Sequence, residues 1–335
     1  MRVAVVGVGR MGFLHLEILK SLSFEVVGIC DQETENLQKA ANELDLAESC
    51  LFTDATELFN QAKPELVVIA TTAPSHCELV CLAAESGTKF ILCEKPMAVS
   101  IAQCNRMIDT CRQHGTELAI NHQMRFMDHY VTIKKMAGDL GGIHSVTVIA
   151  GNMGLAMNGT HYFEMFRYIT EEKPTKAYAW FSDEVVPNPR GDMFEDRAGT
   201  LRLESESGKR FYLECGADLG HGIKTVFAGP FGQIVLDELT GQLDIAVREE
   251  SYRNLPTTRY GMPAHTKQHQ VPPIDIQEPT RQVVQALIQR QDYPDGTIGR
   301  MTIETLVAAY TSHEADNGCV AIDSQLSVSR TFPWA

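Results

Sequence analysis

The chain has 335 residues, 44% of them hydrophobic and 21% charged, which is enough for two globular domains and excludes a disordered or low-complexity protein. Lys plus Arg number 29 against 43 for Asp plus Glu, and the resulting net charge of −14 argues against a nucleic-acid partner. No apolar run approaches the roughly 18–20 residues of a membrane span, and nine scattered cysteines suggest reduced thiols in a cytoplasm.

The first residues run into Val3-Ala4-Val5-Val6-Gly7, which reads as a strand and not as a cleavable leader. Short runs rich in Val, Ile and Leu predict strands over 2–6, 25–30, 65–70, 89–93 and 117–121. Helical patterns over 11–22, 34–44, 55–61, 75–86 and 100–114 alternate with them. Such βαβ alternation predicts a doubly wound parallel sheet, a Rossmann domain over residues 1–121.

The pattern then changes. One helix is expected at 161–169, among strands at 143–150, 177–181, 200–204, 210–215, 223–228, 233–237 and 243–247. Short turns such as Ser207-Gly208 and Thr240-Gly241 separate many of these strands, so residues 122–335 read as an α+β domain with a large, open, mostly antiparallel sheet. The stretch 251–279 holds five prolines and no periodicity, and is expected to be a long surface excursion. Helices at 278–290 and 299–317 close the chain, the last a candidate to pack back on the first domain.

Gly7-Val8-Gly9-Arg10-Met11-Gly12 is G-x-G-x-x-G, placed between a strand and a helix. Its glycines permit a tight turn, close approach of backbone to a pyrophosphate, and close helix–strand packing. The helix start offers free N–H groups to phosphate. The second strand ends at Asp31, nineteen residues after Gly12, where an acid can accept from the ribose diol of a dinucleotide. A carboxylate there repels a 2′-phosphate, and no arginine follows, so NAD is favoured over NADP. A solvated turn acid is the alternative reading.

Further motifs accompany this loop. Glu94-Lys95-Pro96 follows the strand at 89–93, and Thr71-Thr72-Ala73-Pro74-Ser75-His76 follows the one before it. Gly12-Phe13-Leu14-His15 opens the first helix, and Asn121-His122-Gln123-Met124-Arg125-Phe126 follows the strand at 117–121. Together, and over essentially the whole chain, these resemble the glucose–fructose oxidoreductase / inositol dehydrogenase / rhizopine-catabolism family (Gfo/Idh/MocA). The resemblance implies hydride transfer between a nicotinamide and a secondary alcohol of a sugar, cyclitol or nucleotide sugar. It also implies a homodimer or homotetramer built through the C-terminal sheet. Lys95 matches the family's active-site lysine. The cofactor positions carried over are Gly7, Gly9, Arg10, Met11, Gly12, Asp31, Thr71, Thr72, His76, Glu94, Lys95 and Asn121.

One departure stands out. Many members carry D-x-x-x-H at the start of the second domain's first helix, whereas here the segment is Met157-Asn158-Gly159-Thr160-His161. His161 matches the histidine and is the candidate base, its intrinsic pKa lying near neutrality. Asn158 can orient a group but cannot take a proton. Lys95 can stabilise the oxygen that gains charge as hydride leaves. No metal site is expected, since His76, Cys77 and Cys81 read better as buried helix residues. A dinucleotide-binding regulator without catalysis, supported by Met157, is the rival reading; an imine or enone reductase is a third.

Overall fold

The computed structural model describes residues 1–183, 188, 190–220, 222–256 and 262–334. By internal contacts the chain divides into two units, one of residues 1–123, 277–303 and 327–335, the other of 124–276 and 304–326. A single cut after residue 121 therefore describes only the first crossing. The chain returns to the first unit at 277 and again at 327.

Within the first unit, β1 (Arg2–Val6), α1 (Arg10–Ser21), β2 (Glu25–Cys30), α2 (Thr34–Leu44), β3 (Leu51–Phe52) and α3 (Ala55–Ala62) follow one another. They lead into β4 (Leu66–Ile69), α4 (Ala73–Glu85), β5 (Phe90–Cys93), α5 (Ile101–His114) and β6 (Glu117–Ile120). Among the described residues these strands form one six-stranded sheet, ordered β3-β2-β1-β4-β5-β6 and parallel throughout. Strand order reverses beside β1, which makes the carboxyl ends of β1 and β4 a topological switch point.

Helices cover both faces, so the strands read as continuous apolar runs: every residue of Leu66–Ile69 is fully buried. Side-chain caps fix two of the helix starts. Asp54 accepts from the Glu57 N–H at 2.9 Å and Ser100 from the Gln103 N–H at 3.2 Å. A later helix, α8 (Gln277–Gln289), packs on α1, β5 and β6. The first turns of α9 (Gly296–Glu314) press on Ile108, Leu118 and Ile120. Trp334, wholly buried, stacks on Phe332 and donates from Nε1 to the Ala98 carbonyl at 2.9 Å.

The second unit opens with α6 (Asp128–Met136), which the sequence pattern did not signal, and β7 (Ser145–Gly151). Next come α7 (Thr160–Thr170), β8 (Pro174–Phe181), β9 (Gly199–Ser205), β10 (Arg210–Gly216), β11 (Lys224–Gly229), β12 (Gly232–Asp237) and β13 (Gln242–Arg248). With β14 (Ala264–Gln270) and β15 (Val320–Ala321) they form a nine-stranded sheet among the described residues, ordered β14-β13-β12-β11-β7-β10-β9-β8-β15. Every pairing is antiparallel except β7 with β10, because α7, β8 and β9 intervene between these two and return the chain in the same direction.

Alternation along β9 and β10 buries Leu201, Leu203, Phe211 and Leu213 on one face. Against that face α7 places Phe163 and Phe166, each with its ring centroid about 6 Å from Phe211.

The proline-rich stretch corrects one expectation. It is not all excursion: β14 lies within it, paired to β13 over seven residues at the sheet edge. Its sequence, Ala-His-Thr-Lys-Gln-His-Gln, is exposed at every position, so backbone pairing defines the strand and no hydrophobic alternation announces it. Residues 257–261 of that stretch lie outside the described residues.

Candidate functional site

The glycine loop sits at the carboxyl end of β1. Gly7 has φ +84, and a Cβ there would stand 2.8 Å from the Ala70 carbonyl. A Cβ on Gly12 would meet the Gly7 carbonyl at 1.8 Å, so neither position admits another residue without moving backbone. A Cβ on Gly9 would meet nothing within 4 Å. That open side, at the start of α1 with Arg10 and Met11 in its first turn, is the cradle a pyrophosphate requires.

Asp31, just past β2, closes the loop's far side. Its Oδ2 accepts from the Val8 N–H at 2.8 Å and its Oδ1 from the Glu33 N–H at 2.9 Å. Oδ2 also accepts a longer bond from the Asn36 amide at 3.4 Å, whereas Oδ1 keeps a further lone pair for a ribose hydroxyl.

Beyond β1, the neighbouring strands β4, β5 and β6 bring the other candidates to the same carboxyl rim. Thr71 and Thr72 follow β4, the Thr71 hydroxyl accepting from Ser75 Oγ at 2.7 Å. His76, fully buried on α4, reaches the Pro96 carbonyl through Nδ1 at 3.0 Å and the Thr71 carbonyl through Nε2 at 3.2 Å. It thereby ties the loop after β4 to the loop after β5. Burial lowers its pKa against the opposing pull of those carbonyls, and a neutral ring donates to one of the two at a time.

Glu94 follows β5 directly and is buried at 5% exposure. His15 Nε2 lies 2.7 Å from its Oε1, the Asn121 amide donates to the same oxygen at 2.9 Å, and the Lys95 N–H donates to Oε2 at 3.3 Å. Burial alone would raise the Glu94 pKa, but the hydrogen bond and charge of His15, with Lys95 and Asn121, hold it well below the carboxylate range. Lys95 is half-buried and joined to Pro96 by a cis peptide bond. Asn121, 1% exposed, keeps Oδ1 without a hydrogen-bond partner. A buried acceptor-ready amide on this rim, three strands along it from the glycine cradle at β1, fits a dinucleotide's carboxamide end.

In the second unit, Leu155–Gly159 forms a π-helical turn that runs directly into α7. His161 is the second residue of α7 and is buried, and Asn158 donates from Nδ2 to the Met153 carbonyl at 2.6 Å. Asp196, from the segment before β9, accepts from the backbone N–H groups of Ala156 and Met157, both at 2.8 Å. One residue past His161, the Tyr162 hydroxyl donates to Glu238 at 2.7 Å, and Thr225 on β11 donates to the same carboxylate at 2.8 Å. Burial pushes the Glu238 pKa up, against those hydroxyls.

Three of these partners escape a reading of the sequence. His15 stands in the sequence only as the end of a motif, and neither Asp196 nor Glu238 sits in a pattern that points to its partner. Each acts across 39 to 79 positions of sequence, and no local spacing encodes such a meeting.

Among the described residues, no helix is long and apolar enough to cross a membrane, and no group of three His, Cys, Asp or Glu could hold a metal ion.

A Rossmann sheet, a glycine cradle at its switch point and an acid beyond β2 together make a dinucleotide-binding domain. Residues 1–122 match the family GFO_IDH_MocA, described as an oxidoreductase family with an NAD-binding Rossmann fold. The chain is 26% identical over 196 residues to a myo-inositol 2-dehydrogenase of Thermotoga maritima, covering 53% of this chain and 58% of that one. It is 33% identical over 232 residues to a D-apiose dehydrogenase of Paraburkholderia graminis, covering 63% and 59%. The chain thus spans somewhat more than half the length of these curated relatives. An Agrobacterium radiobacter oxidoreductase, solved in complex with NAD+, L-tartaric acid and magnesium, shares the fold with a TM-score of 0.80 at 19% identity, over 97% of this chain and 99% of that one.

Proposed function

We propose that the protein is an NAD-dependent dehydrogenase acting on a secondary hydroxyl, or the matching ketone, of a sugar, cyclitol or nucleotide sugar. The observation that carries this reading is the rim of the first unit. There Lys95 follows an anionic Glu94 held by His15 and Asn121, on the strand next to the one that carries Thr71 and Thr72. Relatives named for inositol and apiose support the substrate class.

NAD, when bound, supplies the acceptor or donor of hydride. The remaining work falls to the chain. Gly7, Gly9 and Gly12 admit the pyrophosphate, with Arg10 and Met11 at the helix start, and Asp31 accepts from the adenosine ribose. Thr71 and Thr72 border the cofactor, His76 and Glu94 hold the rim from behind, and Asn121 offers its amide oxygen. Lys95 keeps a positive charge beside the substrate oxygen as that oxygen gains negative charge. His161 takes the hydroxyl proton, and Asn158 orients the reacting group.

In this reading the enzyme works in the cytoplasm as a homodimer or homotetramer through the second unit's sheet. Two large apolar side chains of that sheet, Ile149 and Trp180, are 38% and 58% exposed, which favours such an assembly. The rival, a non-catalytic NAD-binding regulator, draws on Met157 alone.

Lys95→Met is the decisive variant, assayed by NADH absorbance over a panel of polyols and sugars. Methionine keeps the length and apolar stem, so NADH should bind nearly as in the wild type. Loss of one electrostatic donor should lower kcat about 10²–10³-fold. Retention of more than about a tenth of kcat, a loss under ~1.4 kcal/mol, removes Lys95 from the chemistry. Binding of NADH by the wild type, with no turnover across the panel, favours the regulator.

A further inference from the structure

The turn that carries Met157 lacks its own carboxylate, yet a carboxylate is seated there. It comes from Asp196, thirty-nine positions along the chain from Met157. Oδ1 accepts from the Ala156 N–H and Oδ2 from the Met157 N–H, each at 2.8 Å. The next residue also joins: the Leu155 N–H donates to the Arg197 carbonyl at 3.1 Å. Three successive N–H groups of the turn thus meet two successive residues of the segment before β9.

Gly154 makes room for this seat. It has φ +72, and a Cβ there would lie 2.1 Å from Asp196 Oδ2. A side chain would be strained by the backbone and would also displace the carboxylate.

The geometry answers a specific need. The first N–H groups of any helical stretch lack an intrahelical acceptor, and a π turn leaves one more of them. Here the π turn leads without interruption into α7, which carries Asn158's successor residues and His161. An ionised acceptor makes shorter and stronger bonds than water does, and negative charge is favourable at a helix start. Asp196 therefore fixes the register and direction of the residues immediately before His161.

We infer that Asp196 is a positioning residue of the proposed reaction. It supplies, from the segment before β9, the negative group that the sequence lacks at position 157, and it holds the turn that presents Asn158 and His161. Both its oxygens accept from backbone N–H groups of the turn, and that seat gives it the part of orienting the turn. This rests on the role proposed for His161.

Asp196→Asn tests it with little change of shape. The amide keeps one acceptor but turns an NH₂ toward the other backbone N–H. Hydrogen exchange at Ala156 and Met157 should accelerate about tenfold. On the panel substrate that the wild type turns over best, kcat should fall about 10–100-fold, as expected for a sub-ångström misplacement. The Kd of NADH, read by fluorescence, should stay within about twofold. Gly154→Ala should reproduce this pattern with Asp196 still present.

Unchanged exchange at both amides in both variants overturns the inference, as does accelerated exchange with unchanged kcat. So does a fall of Tm by about 10 °C or more with parallel loss of NADH binding, which would mark Asp196 as merely structural. Full activity in His161→Asn would instead overturn the reading of His161. The exchange rates decide the seating of Asp196 independently of that result.

Discussion

Two carboxylates, one in each unit, are buried to nearly the same degree: Glu94 is 5% exposed and Glu238 is 2% exposed. Their protonation nonetheless moves in opposite directions, Glu94 well down and Glu238 up. Desolvation raises both. What differs is the company. Glu94 has His15, the Asn121 amide and the Lys95 charge around it, whereas the direct partners of Glu238 are the neutral hydroxyls of Tyr162 and Thr225. The contrast teaches that burial sets the cost of a charge while partner chemistry decides whether the charge survives. The first unit keeps an anion on its rim. The second spends its carboxylate on anchoring α7 through Tyr162.

The contrast should break most visibly at His15. His15→Ala removes a buried hydrogen bond to a charged group and leaves a cavity, so urea unfolding should show a loss of about 3 kcal/mol. A loss under ~1 kcal/mol would mean that Asn121 and Lys95 suffice to hold Glu94.

A paired substitution sharpens the comparison. Glu94→Gln should cost about 2 kcal/mol at neutral pH, because it strips a charge that its partners stabilise. Glu238→Gln should cost less than about 1 kcal/mol, because the amide carbonyl still accepts from one hydroxyl while its NH₂ can donate to the oxygen of the other, which is free to turn.

The pH dependence follows with opposite signs. The folded-state pKa of Glu94 lies below the ordinary 4.5, so its stabilisation is present above that pH and is lost as pH falls toward the folded value. Glu238 has a folded pKa above 4.5, so it contributes most at low pH and loses that contribution as pH rises through the folded value. Glu238→Gln should therefore flatten the decline on the alkaline side, and Glu94→Gln the decline on the acid side. Identical Tm–pH curves for the two variants would erase the distinction.

The smallest effect concerns a third carboxylate, half-exposed Asp31, whose charge serves selectivity more than stability. Asp31→Ser with Gln32→Arg should shift relative affinity from NAD toward NADP by about tenfold or more, ~1.4 kcal/mol, in a fluorescence titration. Unchanged relative affinities would mean that the ribose is read elsewhere.

How much of this could be read from the sequence depended on distance along the chain. The glycine loop, Asp31 and Glu94-Lys95-Pro96 are local: each is a short string beside a strand whose apolar run is unmistakable. Five of the six strands of the parallel sheet were legible for the same reason, being apolar runs buried in the sheet; β3 was not, because two residues, Leu51 and Phe52, make no run. β14 was not, because an edge strand of Ala264 to Gln270 needs only its backbone to pair. The partners of the site were hidden for another reason. His15 with Glu94, Asp196 with Met157 and Tyr162 with Glu238 meet only after the sheets have formed. Met157 illustrates the point from the opposite side. Position 157 looked deficient in the sequence, while the structure brings a carboxylate to its backbone from another segment.

The return of the chain to its first unit carries a consequence for biosynthesis. Residues 277–303 and 327–335 complete the body that residues 1–123 begin, with Trp334 buried against Ala98. During translation, the nascent Rossmann sheet must wait for α8 to emerge. At about 5–20 residues per second, the intervening stretch takes on the order of 10–30 s to synthesise. Through that interval the surfaces of α1, β5 and β6 that α8 will cover are exposed on the ribosome-bound chain. The sheet that residues 1–123 begin is therefore covered only after residues 124–276 have been made, and the waiting sheet is where a chaperone would have its longest opportunity to act.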